Sequence, residues 1–308
     1  MKGIEAARRW YAEAGAPMLA RDFGEVACRI AAGIAGRGSE CFGFDDEISA
    51  DHDFETGFSL WITPEDERKF GFALERAYAR LRRESPPPGG TTAKSALGGT
   101  GHGVVVIDEF FRRHIGLPGA PSCWQEWLYT PEHAFAEAVN GEVFRDDAGI
   151  FTGIRETIAH GMPEDVRRKK LAARAVMAAQ SGQYNFARCL KHGEPGAAML
   201  ALAEFVRHAA SLIHLLNRRF TPYYKWTLRS LRTLPVLGDT AEEMTALLSD
   251  GITGDKAERI DALCARIAAE LRTQELSDSP EIYLEPHAFR ILDGITSREI
   301  RSLHVMEG

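Results

Sequence analysis

The apolar positions of the chain change period about halfway along. Residues 4–15 and 19–35 read as helices. In the second, Phe23, Val26, Ile30 and Ile34 recur at helical spacing, and Gly36 and Gly38 stop it. The stretch 51–62, closing on Phe58-Ser59-Leu60-Trp61-Ile62, reads as a strand. Thr63-Pro64-Glu65-Asp66-Glu67 is a helix start, with Thr as N-cap, Pro in the first turn and acids against the helix dipole. That helix runs to about Arg83, and Ser85-Pro86-Pro87-Pro88-Gly89-Gly90 breaks it. From there to Gly103 the chain is rich in Gly, Thr and Ser and reads as a long loop. The β-branched run 104–107 predicts a central strand, and Asp108-Glu109 leads into a short helix, 110–115. Pro131 starts a helix through Val139, Asn140-Gly141 makes a tight turn, and 142–146 is a short strand ending on Asp146.

From residue 153 onward the pattern is helical throughout. Helices are expected at 153–160, 164–181, 183–192, 196–219, 221–232, 240–250, 255–273 and 285–293. Met199, Leu202, Phe205, Val206, Ala209, Leu212, Ile213 and Leu216 form one apolar stripe on the 196–219 helix. His208 and His214 lie in it six residues apart, off metal-ligand spacing, and read as structural or surface residues. The expected fold class is therefore α+β. A small mixed sheet with flanking helices occupies residues 1–150, and an α-helical bundle occupies 151–308.

Composition narrows this picture modestly. The 308 residues are 44% hydrophobic and 26% charged, an ordinary globular balance. A net charge of −7 argues against bulk nucleic-acid binding, which favours a basic surface. Five scattered cysteines with no CxxC pair suit reduced thiols in a cytoplasm. The first residues lead into a charged amphipathic segment, and no run of about 18 apolar residues is apparent. The expectation is a cytoplasmic chain with no membrane partner.

The chemistry concentrates at 38–53, Gly-Ser-Glu-Cys-Phe-Gly-Phe-Asp-Asp-Glu-Ile-Ser-Ala-Asp-His-Asp. In a strand starting near Asp51, Asp51 and Asp53 share a face and His52 takes the other. Two carboxylates on one face repel each other unless water or a cation lies between them. Mg²⁺ suits the pair, because it takes oxygen ligands and keeps sites open for phosphate. Gly38 and Ser39 upstream offer backbone N–H groups and a hydroxyl for a phosphate. Asp45, Asp46 and Glu47 read as a solvated turn. The GxGxxG, GxxxxGK[ST], GxSxG, HExxH and EF-hand patterns are not found.

A Gly-Ser turn, residues 40–50, then Asp-x-Asp on a strand resembles the signature of the DNA polymerase β-like nucleotidyltransferase superfamily. The chain looks like its minimal, kanamycin-nucleotidyltransferase-like branch. More narrowly, it is similar to a bacterial subfamily known mainly as a domain of unknown function. That subfamily carries GSE-x-x-GFD-D-x-x-S-x-DHD near its start and PYYKW about two-thirds along. Both blocks stand here, at 38–53 and 222–226. The resemblance implies a helix before the Gly-Ser turn and a site in a cleft between two domains. It implies Asp51 and Asp53 as catalytic ligands of Mg²⁺, with Mn²⁺ as a substitute ion. Gly38 and Ser39 would hold the β/γ-phosphates of a nucleoside triphosphate, and Lys225 would offset their charge. Tyr223 would stack on a base. The superfamily also places a third carboxylate on a later strand beside the Asp-x-Asp strand. Residues 104–107 hold no acid, so the third acid is sought at Asp108 or Glu109, with Asp146 as a further site residue. Asp108 as a helix cap and Asp146 as a turn residue are the structural alternatives.

Thr221 can N-cap a helix with Pro222 in its first position. Lys225 then sits among three aromatics, either snorkelling at a core edge or held for a phosphate. Gln183, Tyr184, Asn185 and Arg188 are further candidates to line the same cleft. The activity implied is transfer of a nucleoside monophosphate from an NTP to a hydroxyl or phosphate of a small-molecule or protein acceptor, releasing pyrophosphate. A nucleotide-binding sensor without turnover and an antitoxin-like protein that nucleotidylates a partner are the alternatives. The sequence names neither the acceptor nor the base of the NTP.

Overall fold

The computed structural model describes residues 2–46, 56–88, 102–251 and 255–308. Asp51 and Asp53, the start of the expected 51–62 strand and most of the Gly/Thr/Ser-rich stretch lie outside the described residues. The architecture is mixed helix and sheet, an α+β arrangement with a small four-stranded mixed sheet. In chain order the elements are α1 (Gly3–Trp10), α2 (Ala16–Phe23), β1 (Ala31–Ile34), β2 (Ser59–Ile62), α3 (Pro64–Asp66), α4 (Phe72–Glu84), β3 (Gly103–Val106), α5 (Ile107–Ile115), α6 (Trp124–Tyr129), α7 (Glu132–Val139) and β4 (Glu142–Arg145). Nine helices then follow among the described residues: α8 (Ile150–His160), α9 (Glu164–Ala178), α10 (Ala187–Lys191), α11 (Pro195–Leu216), α12 (Tyr224–Leu231), α13 (Thr240–Ser249), α14 (Lys256–Thr273), α15 (Leu284–Asp293) and α16 (Arg298–Ser302). Single π-helical stretches run α1 into α2, α3 into α4 and α9 into α10 without a break.

The chain forms two compact units. The first takes residues 1–122 and 134–161, and the second takes 123–133 and 162–308. In the first, the strand order is β3-β2-β1-β4. β1 is antiparallel to both neighbours, and β3 is parallel to β2. The sheet is covered on both faces. Leu60 and Ile62 join Trp10, Met18, Leu19, Leu74, Tyr78 and Leu81 in one core cluster with α1, α2 and α4. On the other face Trp61 stacks on Phe151 of α8, ring centres 4.0 Å apart, with Phe110 of α5 edge-on.

β1 differs from the 19–35 helix that the sequence predicts. Helix α2 ends at Phe23, a 3₁₀ segment covers Gly24–Arg29, and the next four residues pair with β2 and β4. Ala31, Ala32 and Ile34 are buried, so the strand shows no polar alternation. Its small residues have a packing reason. A Cβ on Gly33 would overlap the Glu142 carbonyl oxygen and press on the Trp61 ring. Ile30 and Ile34 fall at helical spacing only because one precedes and the other ends a four-residue strand. β3, expected at 104–107 as a central strand, instead covers Gly103–Val106 at one side of the sheet, and Ile107 belongs to α5.

The second unit is helical. α9 packs against both α11 and α15, and its core gathers Leu171, Phe186, Leu202, Phe205, Leu212, Ile267, Leu271 and Ile291. α11 is long and apolar enough to cross a membrane by length and composition, yet most of it is buried in this unit's own core. His208 and His214 are both buried in it. His214 lies 2.8 Å from the Ala210 carbonyl through Nδ1 and 3.0 Å from Ser230 Oγ through Nε2.

Gly141 ties the first unit together. It adopts φ +73°, its N–H donates to the Cys41 carbonyl at 2.7 Å, and a Cβ there would overlap the Ile34 carbonyl. Gly141→Ala is expected to lower unfolding free energy by about 2 kcal/mol or more, from backbone strain plus overlap. Urea titration should show a lower midpoint with an unchanged slope.

Candidate functional site

Because β2, β3 and β4 all run against β1, the end of β1 and the beginnings of the other three strands gather at one edge. There the chain leaves β1 and folds into the Gly-Ser turn. Cys41 N–H donates to the Gly38 carbonyl at 3.1 Å, and the N–H groups of Phe42 and Phe44 donate to the Ser39 carbonyl at 3.1 and 2.9 Å. The turn is fixed from outside. Asn140 accepts from Gly36 N–H through Oδ1 at 2.9 Å and donates to the Gly36 carbonyl through Nδ2 at 2.6 Å. Arg155 of α8 donates through Nη2 to the Val139 and Asn140 carbonyls at 2.8 and 2.6 Å. Burial pulls the Arg155 guanidinium below its usual range, and its Nη1 is buried without a partner. Burial and the charge of Glu40 push the Cys41 thiol well above its usual range, so it stays protonated near neutrality.

The turn is not a bare anion cradle. The Glu40 carboxylate arcs back over Gly38, where an added Cβ would meet it. An incoming phosphate must bring a cation or displace that side chain. A second charged group lies at the same edge. Glu137 Oε2 accepts from Arg37 Nε at 3.2 Å and lies 3.3 Å from His114 Nδ1. Burial raises the Glu137 carboxyl, but the His114 hydrogen bond and the Arg37 charge outweigh it and hold it below the usual carboxylate range. His102, leading into β3 against Gly57, is lowered to about 4 by burial and stays neutral at pH 7.

Asp108 and Asp146 lie at the other edge of the sheet. Each follows the C-terminal end of its strand, and a four-residue strand spans ~13 Å. Val106 is the N-cap of α5, so Asp108 sits in the first helical turn, where negative charge suits the dipole. Asp146 Oδ2 accepts from Thr152 N–H at 2.7 Å, satisfying the first turn of α8. Asp45, expected in a solvated turn, accepts from Gly3 N–H at 2.7 Å and so serves the start of α1.

In the second unit, the 218–226 stretch surrounds a different kind of site. α12 begins at Tyr224 with Tyr223 as N-cap, so Pro222 stands outside the helix. Thr221, expected as the cap, instead donates its hydroxyl to Glu132 Oε2 at 2.6 Å. Lys225 is exposed, with Nζ 5.0 Å from the Trp226 ring centre, and Arg229 lies over the same ring at 5.9 Å. Tyr223 and Tyr224 are exposed and in contact, ring centres 4.4 Å apart, and His133 reaches Tyr223 at 5.9 Å. Together they present aromatic faces beside cations, which suits a nucleobase and its phosphates.

Beneath this surface Glu132 is buried. It accepts from Arg174 Nη2 at 3.1 Å, from Ser211 Oγ at 3.1 Å and from Thr221. Burial alone would raise its carboxyl, but the charges of Arg174 and Lys170 with the two hydroxyl bonds hold it below the usual range. The sequence gives little sign of this nest, since an acid after Pro131 reads as dipole decoration. Gln183 is tied to structure rather than displayed. Its Nε2 donates to Asp261 and the Ile282 carbonyl, and its Oε1 accepts from Leu284 N–H. Tyr184 is exposed, with Arg188 over its ring.

Among the described residues no group of three or more His, Cys, Asp or Glu side chains is arranged to hold a metal ion. The Glu40 carboxylate at the turn is a hard oxygen donor of the kind Mg²⁺ takes, and Asp51 and Asp53 lie outside the described residues. Compared with known families, residues 127–227 match the model of a domain of unknown function, DUF4037. That stretch holds the Glu132 nest and the Tyr223–Trp226 surface together. No curated protein matches the chain, and neither does any solved structure.

The Glu132 carboxylate is charged in the fold below its usual range, so it stabilises above its unfolded value of about 4.5 and loses that contribution as pH falls further. Glu132→Gln is expected to lower stability at pH 7 by about 3 kcal/mol, because Arg174 and Lys170 lose a buried counter-charge. It should also flatten the acid limb of a stability-against-pH profile below pH 4.5. A melting series from pH 3 to 7 on both proteins checks this.

Proposed function

We infer that this chain is a Mg²⁺-dependent nucleotidyltransferase that moves a nucleoside monophosphate from an NTP to an acceptor hydroxyl or phosphate. The observation that carries the reading is the Gly36–Cys41 turn at the edge of the sheet. It is fixed by Asn140 and Gly141, and the sequence continues from it through Asp51-x-Asp53 into β2. A mixed sheet flanked by helices supports the same class, as does the presence of both sequence blocks.

In this reading Gly38 and Ser39 hold phosphate oxygens, and Asp51 and Asp53 hold Mg²⁺. When bound, the ion neutralises charge on the triphosphate. The Glu40 carboxylate over Gly38 makes metal-bound triphosphate a better ligand than free nucleotide. In the second unit, taken by itself, Lys225 offers a cation and Tyr223 and Tyr224 offer stacking faces for a nucleotide. A second reading, nucleotide binding without turnover, draws on the placement of Asp108 and Asp146 away from the turn. Release of pyrophosphate separates the two.

Thermal melts with ATP, GTP, CTP and UTP, each with and without Mg²⁺, test the site. A ligand at about 100 times its Kd adds roughly 2.7 kcal/mol, so one NTP should raise Tm only with Mg²⁺. Asp51→Ala and Asp53→Ala should each abolish that shift and leave the ligand-free Tm close to wild type. If both variants keep the full shift, the metal site is not there. Lys225→Ala should weaken binding of the same NTP by about tenfold, the scale of one charge-assisted contact, without lowering the ligand-free Tm, because Lys225 is exposed. An unchanged Kd by calorimetry would remove Lys225 from the site.

A further inference from the structure

The turn's edge of the sheet holds a histidine–carboxylate pair that the nucleotidyltransferase signature does not include. His114 closes the last turn of α5, and Glu137 lies near the end of α7. Both helices bring their C-terminal ends to the Gly36 turn. An ionised carboxylate only accepts hydrogen bonds, so the His114 Nδ1 facing Glu137 carries the proton. In the neutral tautomer that this contact selects, the lone pair is on Nε2. That nitrogen lies over Gly36. A Cβ built on Gly36 would sit 3.3 Å from His114 Cε1 and 3.4 Å from Nε2. Gly36 has φ +126°, so the position favours glycine, and an added Cβ there would stand against the edge of the imidazole. Arg37 holds Glu137 from the solvent side, and Phe110 packs on the imidazole ring at 4.6 Å. The ring is thus held by Glu137 at Nδ1 and by Phe110 on its face, with Nε2 toward the turn.

We propose that His114, oriented by Glu137, is the general base that accepts the proton of the acceptor hydroxyl. The proposal rests on the nucleotidyltransferase reading and adds the group that deprotonates the nucleophile. The acceptor O–H bond breaks and its proton passes to Nε2. The oxygen bonds to the α-phosphorus, and the bond from that phosphorus to the α–β bridging oxygen breaks. Pyrophosphate leaves with the electron pair. The imidazolium formed is stabilised by Glu137 at Nδ1 and returns its proton to solvent. Glu137 is a positioning residue, because it acts through the imidazole. Asp108 and Glu109, the acids that the sequence offers for this task, follow the far end of β3.

The test uses wild type, His114→Ala, His114→Gln and Glu137→Gln. Each is titrated with the four Mg-NTPs by calorimetry, then assayed for pyrophosphate release with water and glycerol as surrogate acceptors. The Gln at 114 keeps an amide that can donate to Glu137, which guards against a variant that merely fails to fold. The expected result is Mg-NTP affinity within about threefold of wild type and release slowed by about 10²-fold in both His114 variants, the scale of one general base. Added imidazole should restore release in His114→Ala and leave wild type and Asp51→Ala unchanged. Glu137→Gln should slow release less than His114→Ala does, with unchanged affinity. Wild-type rates in the His114 variants, or lost rates that imidazole does not restore in folded protein, would overturn the base and leave the nucleotidyltransferase reading standing. Wild type that binds Mg-NTP without releasing pyrophosphate, or binds none, would overturn that reading and the base with it.

Discussion

The first unit depends on a four-residue strand that is buried on both faces and bonded along both edges. β1 must satisfy its backbone groups through β2 on one side and β4 on the other, since no water reaches them. It must also be thin, because Trp61 and the Glu142 carbonyl close on Gly33. Once β1 is set antiparallel to both neighbours and β3 parallel to β2, three strand beginnings are forced to one edge. The Gly36–Cys41 turn, the Asn140–Gly141 turn and the ends of α5 and α7 meet there as a consequence.

The polar groups at that edge illustrate how a fold holds a turn without a regular ladder. Asn140 takes both backbone groups of Gly36, as a neighbouring strand would. Arg155 in turn takes two carbonyls at the end of α7, where helices leave acceptors unsatisfied. A buried cation is costly on its own, and its hydrogen bonds offset only part of that cost. Its position at the turn is therefore an observation about electrostatics as well as packing, since an anion arriving there meets a desolvated positive charge.

The second unit places charge inside in another way. Arg167, Lys169 and Lys170 belong to a basic run, and such side chains are seldom fully buried. All three are buried on α9, and each donates to backbone carbonyls: Leu215 for Arg167, His304 and Val305 for Lys169, and Leu128 for Lys170. Burial lowers both lysines to about 8. Glu132 supplies the local counter-charge and draws in Thr221, one residue before the Pro-Tyr-Tyr-Lys-Trp block. The exposed aromatics of that block thus stand on a rigid polar base, the condition under which a surface side chain keeps one orientation.

Much of the secondary structure was legible in the chain. The helices from 150 onward fall within a few residues of their hydrophobic stripes, and Thr63-Pro64 starts its helix as the capping pattern requires, with Thr63 accepting from Asp66 N–H. These features are local: an apolar period of 3.6 or a capping side chain acts within one or two turns. Asn140-Gly141 was legible as a turn, though not as the clamp on Gly36. Arg155 left a trace too, as a cation on the Phe151 and Ile158 stripe. β1 was not legible, because Ala-Ala-Gly-Ile carries no alternation and becomes a strand only when β2 and β4 pair with it. Nor was the His114–Glu137 pair, whose members lie on separate helices and meet only where the sheet brings those helices to one edge. The sequence by itself determined where most helices of the second half run, because capping and apolar period act within one or two turns. The tertiary structure decided which residues face one another, because strand direction and burial are fixed by contacts between segments distant in the chain.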